Sequence, residues 1–217
     1  MKIETKQVNI TAVHAEDVLS LAQTKVSEIR AKIIELWDDA PIVTQFPELI
    51  ALIVPKEQVS ITIQNRVITV ANQDIKSFDT RNIEKFLQLV RAITEILPKP
   101  IVAYGYNYNF LVQTESENTD DAKKILNDII NFDNLSIEKE NVLGSGLNLS
   151  YLDGDIRHQV VITPQFSNDL KTLIAYPSSC NIHFVDIKLP DYSILLDSFK
   201  KEHNARLDFI KNIFKIK

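Results

Sequence analysis

Apolar and polar residues alternate with period two through Ile101–Val112, IVAYGYNYNFLV. Successive side chains of a strand point to opposite faces of its sheet, so this alternation predicts a long strand with two different faces. Val102, Tyr104, Tyr106, Tyr108, Phe110 and Val112 fall on one side, an aromatic ladder suited to burial against helices. Ile101, Ala103, Gly105, Asn107, Asn109 and Leu111 fall on the other, which is small and polar at its centre.

Before this strand, Lys2–Val13 alternates loosely and predicts another. Ala15–Trp37 carries Val18, Ala22, Val26, Ile29, Ile33 and Leu36 at helical spacing. Leu49–Val54 is a short apolar run of the kind a buried strand needs. Val59–Ala71 reads as a hairpin about Asn65-Arg66, with Ile63 facing Ile68 and Ile61 facing Val70. That register gathers Val59, Ile61, Ile63, Ile68 and Val70 on one face, and a one-residue slip would destroy the segregation. A helix over Thr80–Leu97 opens at an Asp79-Thr80 cap and stops before Pro98.

After it, Thr119 caps a shorter helix reaching about Phe132. Asp153-Gly154 signals the turn of a second hairpin, with Leu147, Leu149 and Tyr151 sharing a face with Ile156, His158, Val160 and Ile162. Leu173–Tyr176 and Asn181–Leu189 predict two more strands. Pro190-Asp191 opens a C-terminal helix to about Ile213, with Leu196, Phe199, His203, Leu207, Ile210 and Phe214 inside. The order strand, helix, strands, helix thus occurs over residues 1–98 and again over 99–217. These elements predict one α+β domain, mainly a curved antiparallel sheet with helices packed on one side.

Composition narrows the function classes. A net charge of −5 argues against a nucleic-acid binder, which would carry a basic face. Cys180 is the single cysteine, so no internal disulfide can form, and a reducing, cytoplasmic setting is expected. No apolar run approaches the ~20 residues that span a bilayer. With four glycines, Gly-rich cofactor loops are not expected, and no cofactor is assigned.

No His-Glu-x-x-His, Cys-x-x-Cys or Gly-x-Ser-x-Gly pattern occurs. His183 lies three residues after Cys180, on the opposite face of any strand containing both, which speaks against a Cys–His pair. His158 and His203 fall on apolar faces. Burial as neutral core histidines is the plainer account of each; the sharper one brings them into one pocket with Tyr151. Asn107 and Asn109 either face solvent or line a groove for a partner, since Tyr and Asn supply area and hydrogen bonds at low entropic cost.

Two short stretches carry a likeness. Tyr104-Gly-Tyr-Asn-Tyr-Asn109 after a helix, and Val185-Asp186-Ile187 before a long helix containing His203 and Phe209, resemble an uncharacterised, sporadically distributed family of bacterial α+β proteins of similar size. That family tends to carry Arg-Tyr-Asn in the first stretch, and the Arg is absent here. The resemblance implies no chemistry. The expectation is therefore a non-catalytic binding or assembly protein acting on a protein partner or a second copy. The alternative is a small-molecule binder or enzyme with a pocket between the sheet and the C-terminal helix, lined by Tyr106, Asn107, Tyr151, His158 and His203.

Overall fold

The computed structural model describes residues 1–73, 80–113, 119–129, 142–168, 172–185 and 187–216. Among them, ten strands form one antiparallel sheet and four helices accompany it. In chain order the elements are β1 (Lys2–His14), α1 (Leu19–Trp37), β2 (Ile42–Phe46), β3 (Leu49–Val54), β4 (Val59–Gln64), β5 (Val67–Asn72) and α2 (Thr80–Ile96). They continue with β6 (Ile101–Gln113), α3 (Thr119–Ile129), β7 (Leu147–Asp153), β8 (Ile156–Ile162), β9 (Gln165–Phe166), β10 (Leu173–Val185) and α4 (Tyr192–Ile213).

The sheet runs β2-β3-β4-β5-β1-β6-β10-β8-β7, with β9 beside β10, and does not close on itself. In each half the first strand pairs with the last: β1 with β5, and β6 with β10. The two first strands then pair with each other at the centre, Asn9 opposite Asn107. The sheet order is thus mirrored about β1 and β6.

The period-two reading of β6 holds along its length. Tyr104, Tyr106, Tyr108, Phe110 and Val112 are buried on the helix side, while Asn107 and Asn109 are half-buried on the other. Phe199 of α4 joins the layers, its ring 5.2 Å from Tyr106, 5.1 Å from Tyr108 and 5.9 Å from Phe86 of α2. The Tyr108 hydroxyl donates to the Phe199 carbonyl at 2.8 Å, so the ladder's polar tips are satisfied inside the core. Gly105 lets β10 close on β6: a Cβ there would stand 2.9 Å from the Ile182 carbonyl oxygen.

The β4–β5 hairpin has the expected register, Ile63 opposite Ile68 and Ile61 opposite Val70. Its turn residue Asn65 lies in the left-handed region, with a φ of 39°.

 That value, a φ of 39°, is the positive angle a tight hairpin turn needs at its first central position, and Asn is one of the few residues that tolerates it. The same turn anchors α1, because the Asn65 carbonyl accepts from the amides of Val18 and Leu19 at 2.7 and 3.2 Å.

Five expectations are corrected. The first helix starts at Leu19 rather than Ala15, because Asp17 folds back to accept from the Leu19 amide at 3.0 Å and the Ser20 hydroxyl at 2.7 Å. Ile42–Phe46, where no element is predicted, is the edge strand β2. The second hairpin turns at Gly154-Asp155, with Asp153 opposite Ile156, because Gly154 takes the positive φ of 60°. The face shared by Tyr151 and His158 survives that shift. Leu173–Tyr176 and the following strand are one strand, β10, running through Pro177. The Pro177 carbonyl accepts from the Thr163 amide between β9 and β8, where the ladder is already interrupted and a missing N–H costs little. That strand also ends at Val185 rather than Leu189. Asp79, Phe132 and Asp186 lie outside the described residues. Among the described residues, no helix is long and apolar enough to cross a membrane.

Candidate functional site

The sheet divides the six candidate residues into two groups. Tyr106, Tyr151, His158 and His203 lie on the helix side, whereas Asn107 and Asn109 lie on the opposite side, helix-free among the described residues. One pocket lined by Tyr106, Asn107, Tyr151, His158 and His203 is therefore not formed, since the sheet itself stands between Asn107 and the others.

On the helix side the groups are packed. Tyr106 is fully buried, its hydroxyl donating to Ser198 of α4 at 3.4 Å, and burial raises its pKa well above the ordinary phenol value. His203 bonds Thr5 of β1 through Nε2 at 3.0 Å and Asn204 through Nδ1 at 3.3 Å. Burial pulls its pKa down to about 4, so it is neutral at pH 7. His158 stacks on Tyr151, centroids 4.9 Å apart, and among the described residues neither of its ring nitrogens has a hydrogen-bond partner. Its pKa is lowered, by burial first and by the Arg206 guanidinium second. Arg206 donates to the Tyr151 hydroxyl and pairs with Glu202 at 3.2 Å. Cys180 is also buried here, its thiol pushed up to about 12, while His183 sits exposed on the opposite face. A thiol so held is not a nucleophile at neutral pH.

The helix-free face is different. Its central side chains bond across the strands: Asn107 donates to Asn9, Asn109 donates to Gln7 at 2.9 Å, and Thr11 meets Thr69 at 3.2 Å. A groove of about 520 Å³ runs over this face, lined by Gln7, Asn109, Val161, Thr163, Pro177 and Ser179 among others. At the β2 edge the face turns apolar. Ile42 pairs with Ile53 and Phe46 with Leu49, and Ile42, Ile53 and Phe46 are 58%, 44% and 51% exposed.

Charge is nearly missing from the strands. Their only charged residues are Lys2, Glu4, Lys6, Asp153 and Arg157, in a chain that is 24% charged. Absence of charge is expected on the face under the helices, but a solvated face of an antiparallel sheet ordinarily carries charge outward. Glu4 also pairs with both neighbours, Lys2 at 2.5 Å and Lys6 at 2.6 Å, so the three together carry a single net positive charge. Sequence reasoning found Asn107 and Asn109 but missed Gln7, Thr163 and Ser179, which are brought beside them only by strand pairing. Among the described residues, no three His, Cys, Asp or Glu side chains are grouped as metal ligands would be. No protein-family model matches the sequence, and no curated protein matches it.

Proposed function

We propose that this chain is a non-catalytic binding or assembly protein of the cytoplasm that engages other protein chains through the helix-free face of its sheet. The observation that carries the reading is the solvated but nearly uncharged surface of that face. Depletion of charge marks the cores of protein interfaces. Amide and hydroxyl side chains offer hydrogen bonds to a partner without the desolvation cost of ions. A nucleic-acid partner is disfavoured, because phosphates need cations and the strands supply few that are not already paired. The groove of about 520 Å³ supports a second reading, a small uncharged ligand held by Gln7, Asn109 and Ser179.

Light scattering after size-exclusion chromatography, together with recovery of bound proteins from the native host, tests the first reading. The wild type should carry a protein partner or self-associate, and Asn109→Lys combined with Ser179→Lys should abolish this while leaving the circular dichroism unchanged. A wild type that stays monomeric and retains no protein refutes it. Native mass spectrometry of that monomer would then reveal whether a small molecule remains bound.

A further inference from the structure

β2 ends the sheet, and among the described residues nothing pairs with its outer side. Natural sheets guard such an edge with lysine, an inward charge, a bulge or a proline within the strand. β2 has none of these: Ile42-Val-Thr-Gln-Phe46 is uncharged and unbroken, and four of its five residues are exposed. Pro41 and Pro47 stand immediately outside it and fix its length.

From this edge we infer that a second copy of this chain docks there, the two β2 strands pairing antiparallel about a twofold axis at Thr44. The inference rests on the assembly reading above and names one partner for it. Its support is the self-complementarity of the strand. With Thr44 opposite Thr44 of the partner copy, Ile42 falls opposite the partner's Phe46, and Val43 opposite the partner's Gln45. Aromatic against β-branched and Thr against Thr are among the favourable cross-strand pairs. Pro41 falls opposite the partner's Pro47, so the ladder ends on both sides at residues with no N–H to donate. Ile42, Thr44 and Phe46 share the helix-free face with Leu49, Ala51 and Ile53. Pairing therefore merges the exposed apolar patches of both copies into one strip. Each copy carries a net charge of −5, yet no charge meets its like along this seam.

The test uses two variants of the full chain. Thr44→Glu and Thr44→Lys each place like charges directly opposite one another across the axis, which should raise the dimer dissociation constant at least about tenfold. Mixed in equal amounts, the two should form a heterodimer at wild-type affinity. Light scattering and sedimentation equilibrium read all four samples. A wild-type dimer, two monomeric variants and recovery on mixing support the inference, and recovery also shows that both variants fold. A monomeric wild type at high micromolar concentration overturns it and leaves the assembly reading to the recovery of another bound protein. A wild-type oligomer unaffected by either variant, or no recovery on mixing, overturns it while the assembly reading stands.

Discussion

His203 offers a quantitative check on the packing of α4 against the sheet. Its ring is 2% exposed and sits 5.5 Å from the rings of both Tyr108 and Phe110. Its pKa falls from 6.5 to about 4 because burial penalises the charged form. Between those values the unfolded chain takes up a proton that the folded chain refuses. The stability contributed by neutral His203 is therefore complete above pH 6.5 and is lost as the pH falls toward 4. At ~1.4 kcal/mol per unit, the loss is about 3 kcal/mol, a large part of a total stability of roughly 5–15 kcal/mol. His14 and His158 are also depressed by burial and add to the overall slope, so a comparison with His203→Leu isolates the single group. Urea unfolding of both proteins at neutral pH and at about pH 4 gives the required four free energies. The stability difference between them should move by about 3 kcal/mol in favour of the variant on acidification. A difference that does not change with pH would refute the placement of a neutral His203 beneath α4.

Two further outcomes follow from the same core. Phe199→Ala removes the ring that touches Tyr106, Tyr108 and Phe86, and should cost about 3–5 kcal/mol, read as a fall of roughly 6–20 °C in the melting temperature. Gly105→Val puts a Cβ 2.9 Å from the Ile182 carbonyl oxygen and must push β10 away from β6, so urea unfolding should show a loss of about 1–3 kcal/mol.

What could be read from the sequence depended on whether a stretch carries its own record of burial. The β4–β5 register was legible because a two-residue turn and a segregated apolar face over-determine it. The C-terminal helix was legible because Pro190 and a long apolar stripe mark its start and inner side. β2 left no such record: at the sheet edge neither face is fully covered, so its residues need not alternate. β10 was broken in two because Pro177 reads as a stop unless the gap between β9 and β8 is known. The candidate site was legible to the same degree. Asn107 and Asn109 announce themselves by alternation within one strand. Their neighbours Gln7 and Ser179 come from β1 and β10, and that juxtaposition is created by pairing across most of the chain. The parallel alternation Gln7, Asn9, Thr11 along β1 was the one local signal that a second strand shared the polar face.

The mirrored sheet order also sets a timetable for synthesis. β1 can pair with β5 as soon as the first half has emerged, but its other edge waits for β6, since Asn9 pairs with Asn107. At ~5–20 residues per second that edge stays open for roughly 5–20 s on the ribosome. An open central strand is a hazard for mispairing with neighbouring nascent chains. The charged residues of β1, Lys2, Glu4 and Lys6, lie on the stretch that β5 does not cover, where β6 is the one strand that pairs among the described residues. Charge at such positions is of the kind that disfavours mispairing of an open strand, in a finished sheet that almost entirely lacks it.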